Sequence, residues 1–88
     1  MKTKKGFMLR EVAGNSVVVA VGEASRSFNG LITLNDTAVF LWNLLSKGAT
    51  EEELVDAIKS EYIVEADVAK NDVAAFVEKC KKAGLIEE

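Results

Sequence analysis

Two hydrophobic periods divide this chain. From Phe7 to Leu34 the apolar residues come in short runs that suit strands; from Asp36 onward they recur every three or four positions, as helices require. Phe7–Ala13 reads as a first strand, and Gly14-Asn15 as a two-residue hairpin turn. The β-branched run Ser16–Val21 reads as a second strand. A polar loop, 22–27, precedes a third strand, Phe28–Leu34. There, regular pleating puts Phe28, Gly30, Ile32 and Leu34 on one face and Asn29, Leu31 and Thr33 on the other.

The helical half opens at Asn35 or Asp36, either of which is suited to cap a helix carrying Ala38, Leu41, Trp42 and Leu45. Gly48 stands where a helix ends in the left-handed region. Thr50 with Glu53 forms a capping box for a second helix bearing Leu54, Val55 and Ile58, with Tyr62 following. Ile63-Val64 is a short link. A third helix runs from Asp67 to Ala83 with a stripe of Val68 or Ala69, Val73, Phe76, Val77 and Cys80. Gly84 stops it, and Leu85-Ile86 return to the core. Three strands followed by three helices predict an α+β fold with the helices on one face of a sheet. At 88 residues the chain reads as one domain, 1–88, with a single core and no roomy enzyme cleft.

Composition removes whole classes of chemistry. With no histidine, the usual neutral-pH general base is missing, and neither a Cys-His nor a Ser-His pair can form. One cysteine and no histidine argue against a zinc site, and the scattered glycines make no phosphate loop. No catalytic residue, metal or cofactor is expected. The basic start, Met1–Gly6, lacks the apolar stretch of a signal peptide, the apolar runs are far too short to span a membrane, and the lone Cys80 suits a reducing compartment; a cytoplasmic protein is expected.

Charge is uneven: residues 1–34 carry a net +3 and residues 35–88 a net −6. Two solvated faces explain this most simply; the sharper alternative is a basic sheet edge that attracts an acidic peptide. Glu51-Glu52-Glu53 is favoured at a helix N-terminus by the macrodipole rather than as a cation site. Trp42 reads as a core anchor and Cys80 as a small buried hydrophobe.

The ordered set Leu34-Asn35-x-Thr37-Ala38-x-x-x-Trp42-x-Leu44-Leu45-x-x-Gly48-x-Thr50-x-x-Glu53-Leu54, with Asp72-Val73-x-x-Phe76-Val77 and Gly84-Leu85-Ile86, resembles the PQQ synthesis protein D family over nearly the whole chain. The resemblance implies a RiPP recognition element. This is a winged helix-turn-helix domain, with a three-stranded antiparallel sheet before three helices, that binds the leader segment of a precursor peptide and presents it to a modifying enzyme, often a radical SAM protein. It also implies that the peptide adds as a strand along Phe28, Asn29, Gly30, Leu31, Ile32 and Thr33, and rests on the third helix at Val73, Phe76, Val77 and Cys80. From the residues alone, Val73 and Val77 read as core, while Phe76 and Cys80 stay open between core and groove.

Three other readings compete. A winged helix that binds nucleic acid fits the helix order, but its recognition helix would carry Glu51, Glu52, Glu53, Asp56 and Glu61 against one Lys59. That charge repels phosphate. An enzyme is opposed by the missing histidine and the small size. A homodimer formed by pairing of a sheet edge with itself is the structural alternative.

Overall fold

A computed structural model describes residues 1–26 and 31–87. Strands β1 (Lys2–Thr3), β2 (Phe7–Val12), β3 (Asn15–Ala20) and β4 (Leu31–Leu34) precede helices α1 (Asp36–Lys47), α2 (Glu51–Glu61) and α3 (Ala66–Ala83), and a last strand β5 (Ile86–Glu87) follows. β2, β3 and β4 form an antiparallel sheet in that order, so the fold is the expected α+β arrangement of a three-stranded sheet before three helices. The expected strand over Phe28–Leu34 is described from Leu31; positions 28–30 lie outside the described residues.

The β2–β3 turn sits one residue earlier than expected. Val12 pairs with Asn15, so Ala13-Gly14 are the loop and Asn15 belongs to the strand. Both loop residues have positive φ, 53° at Ala13 and 81° at Gly14, which is the geometry whose twist matches a right-handed hairpin. Alanine bears the cost of a Cβ in that region. The register then puts Phe7, Leu9, Val18, Ile32 and Leu34 on the face toward the helices.

The helix ends follow the caps. Asn35, rather than Asp36, is the N-cap of α1: its Oδ1 accepts from the Ala38 N–H at 2.9 Å. Thr50 Oγ1 accepts from the Glu53 N–H at 3.1 Å, and Glu53 Oε1 accepts from the Thr50 N–H at 2.9 Å, completing the capping box of α2. Gly48 has the expected positive φ, 94°, but its ψ of 123° lies outside the left-handed helical well, so the chain leaves α1 extended rather than curling back. Gly84 (φ 75°, ψ 29°) does enter that well. Its N–H donates to Lys81 O at 3.1 Å and the Leu85 N–H donates to Cys80 O at 2.9 Å, the paired bonds of a Schellman end. α3 begins at Ala66, one residue before the expected Asp67.

Leu41, Trp42 and Leu45 from α1, Leu54 and Ile58 from α2, and Ala69, Val73, Phe76, Val77 and Cys80 from α3 close on Val18 and Leu34 of the sheet. Each such aliphatic or aromatic side chain contributes roughly 1.5–3 kcal/mol by leaving water. Ala69, not Val68, is the buried member of the α3 stripe. Phe40 and Tyr62 meet edge to face, 5.8 Å between ring centres.

A feature the sequence pattern did not announce is the second sheet. β1 pairs antiparallel with β5, Lys2 opposite Glu87 and Thr3 opposite Ile86, and the Lys4 N–H donates to Leu85 O at 2.8 Å. Met1 continues this edge onto the turn between α1 and α2: its nitrogen donates to Ala49 O at 3.0 Å and its carbonyl accepts from the Ala49 N–H at 2.9 Å. The two ends of the chain thus tie down the helix-turn-helix.

Candidate functional site

Hairpin geometry decides which backbone groups of β4 point outward. In a two-residue hairpin the closing pair, here Val12 and Asn15, exchanges both hydrogen bonds. Bonding direction alternates along a strand, so Asn15, Val17 and Val19 face β2. The bond from the Val21 N–H to Gly6 O, 2.7 Å, continues that side. Ser16 and Val18 therefore face β4, where they pair with Leu34 and Ile32. The N–H and C=O groups of Leu31 and Thr33 are left directed away from the sheet. An edge of this kind is a template for another extended chain.

Beside that edge runs a groove. Its strand wall is Ile32, Thr33 and Leu34, its end wall is the start of α1 at Thr37 and Ala38, and its far wall is α3. From α3 come Asp72, Ala75, Phe76, Glu78, Lys79, Lys82 and Ala83, most of them spaced by three and four residues as one helix face demands. Phe76 is 8% exposed and joins the core to the groove wall. Ala75 is small and exposed, which leaves room above Ile32.

The expected site residues divide among these positions. Ile32 and Thr33 line the groove, and Phe76 lines it from α3. Leu31 contributes its outward backbone groups. Val73, Val77 and Cys80 are 0–2% exposed and sit in the core beneath the groove wall. Phe28, Asn29 and Gly30 lie outside the described residues. Sequence reasoning passed over Asp72, Ala75, Lys79 and Lys82. Charged and small residues beside an apolar stripe look like an ordinary solvated flank, and only the position of β4 turns that flank into a wall.

Burial pushes the Cys80 thiol up to about 11, against a smaller opposing pull from the Lys79 charge. At neutral pH it is a protonated, inert side chain. On α2, Glu51, Glu52, Glu53, Asp56 and Glu61 are all exposed, with Lys59 the one basic residue among them. That helix face is strongly acidic. No helix among the described residues is long and apolar enough to cross a membrane.

Two solved structures share the fold across almost the entire chain. One is TbiB1 in complex with the TbiA(beta) leader peptide, at a TM-score of 0.78 and 24% identity, covering 99% of this chain and 95% of that one. The other is a lasso peptide synthetase B1 complexed with the leader peptide, at a TM-score of 0.77 and 25% identity, covering 99% and 96%. No curated protein matches the chain. The family model for coenzyme PQQ synthesis protein D matches residues 15–86, from the first residue of β3 to the first of β5. With the capped helix-turn-helix, the three-stranded sheet and that match over most of its length, the chain belongs to the PqqD family.

Proposed function

We propose that this protein is a non-catalytic recognition domain that binds the leader segment of a ribosomally made precursor peptide and presents it to a modifying enzyme. The leader adds as a strand to β4 and rests against α3. The observation that carries this reading is the outward-directed edge of β4 with a groove of mixed apolar and polar lining beside it. Both similar structures were solved with a leader peptide bound, which supports the same assignment. Physically, the backbone of Leu31 and Thr33 supplies affinity with little sequence demand, while pockets over Ile32, Ala75 and Phe76 supply selectivity. A radical SAM enzyme is the modifying partner that the family resemblance favours, and the cytoplasm is where precursor, protein and enzyme meet.

Backbone amide shifts test the reading. The isotope-labelled protein is titrated with the leader segment of its cognate precursor peptide. Shifts are expected at the amides of Leu31 and Thr33 and along the groove face of α3. Shifts confined to α2, with β4 silent, would place the binding surface elsewhere and refute strand addition.

A further inference from the structure

The groove wall is electrically polarised along its length. Asp72 and Lys79 both line it, and both are exposed. They are seven residues apart on α3, so they lie within about 20° of the same line along the helix and about 10 Å apart along its axis. Lys82 and Ala83 extend the wall beyond Lys79, opposite Ile32, whereas Asp72 lies toward Leu34 and the start of α1. Glu78 lines the Lys79 end as well; it stands about 100° from Lys79 around the helix and about 40° from Lys82, one turn before it. Neither Lys79 nor Lys82 lies within ion-pair distance of a described carboxylate.

A chain of net charge −3 with acidic α2 would ordinarily repel acidic peptides. Lys79 and Lys82, neither ion-paired among the described residues, stand at one end of the groove with Glu78, and Asp72 stands at the other, so the Lys79 end carries a net positive charge. We propose that Lys79 and Lys82 are specificity-determining residues of the peptide groove. They select an acidic side chain on the bound peptide, two or three residues from the apolar side chain seated over Ile32, Ala75 and Phe76. The spacing follows from the wall: Phe76 to Lys79 and Lys82 is about 4.5 and 9 Å along a helix, and an extended peptide covers about 3.3 Å per residue with same-face side chains two apart. Asp72 disfavours an acidic side chain at the opposite end. This rests on the proposal that the groove takes an extended peptide.

The test is selection from a random twelve-residue peptide library displayed against the full chain, run in parallel on Lys79→Glu/Lys82→Glu. The wild-type protein should enrich Asp or Glu at two or three positions from an apolar anchor, and the double variant should enrich Lys or Arg there instead. For the best wild-type peptide, replacing its acid by the matching amide should weaken binding about two- to five-fold, the range of exposed ion pairs. The difference should vanish near 1 M salt, where the screening length is about 3 Å. Equal residue preferences from both proteins, with selected peptides still shifting the Leu31 and Thr33 amides, would overturn the role of the lysines and leave the peptide groove standing. Selected peptides that leave those two amides unmoved, or no selected peptides at all, would overturn the peptide groove itself, and the lysine proposal with it.

Discussion

Single residues carry the sharpest expectations. On β4 the N–H of Leu31 and of Thr33 points outward, while that of Ile32 is turned toward Val18. Proline at Thr33 removes only an outward donor, which an edge strand tolerates. Thr33→Pro is therefore expected to melt close to the parent and to lose leader binding in calorimetry. Ile32→Pro removes a ladder bond and should melt far lower. If the two variants behave alike, the assigned bonding direction is wrong. Phe76→Ala truncates a side chain shared by core and groove. We expect leader affinity to fall by roughly 1–3 kcal/mol, and the melting temperature to fall with it because Phe76 is 8% exposed. Cys80 makes a pH-dependent statement. Its thiol is held up at about 11 in the folded chain against an ordinary 9.0, so the folded state binds the extra proton between those values. The stability this brings is complete below pH 9 and is lost as pH rises toward 11. Urea unfolding at pH 8, 9.5 and 11 should show that loss, and Cys80→Ala should flatten the part of it that belongs to the thiol.

At the scale of elements, the hairpin and the helix caps are where local sequence meets local strain. Ala13 occupies a positive φ of 53° beside Gly14. Ala13→Asn creates the Asn-Gly pair that this turn favours, and is expected to raise stability by roughly 1 kcal/mol without changing the sheet. Thr50→Ala breaks one half of the capping box and should cost about 1 kcal/mol in denaturant unfolding. If Thr50→Ala proves neutral, the box is ornamental and the α1–α2 turn is held by other contacts, Ala49 against Met1 first among them.

At the scale of the whole molecule, charge decides between partners. The helix-turn-helix offers an acidic α2, so duplex DNA is expected to bind no more tightly than about micromolar at moderate salt. A salt-sensitive nanomolar gel shift would contradict this. Much of the fold was legible in advance because it is written in local terms. The cap at Asn35 or Asp36, the capping box at Thr50, the stop at Gly84 and the periodic stripes of α1 to α3 each depend on residues within one or two turns of each other. So does the order of strands before helices. The hairpin was placed one residue late because Gly14-Asn15 and Ala13-Gly14 compete for the same turn, and the pairing of β2 with β3 settles it in favour of the second. The β1–β5 pairing joins residues more than eighty positions apart, and no local pattern predicts it. The groove is the same kind of object. Sequence alone determined that α3 carries an apolar stripe with Phe76 on it and charged residues beside it. Val73 and Val77 read as core from that stripe already; only the tertiary structure decided that Cys80 is buried with them and that Asp72, Ala75, Lys79 and Lys82 face β4. A helix's periodicity records which of its faces is buried, but what stands beside its flank depends on how separate elements dock.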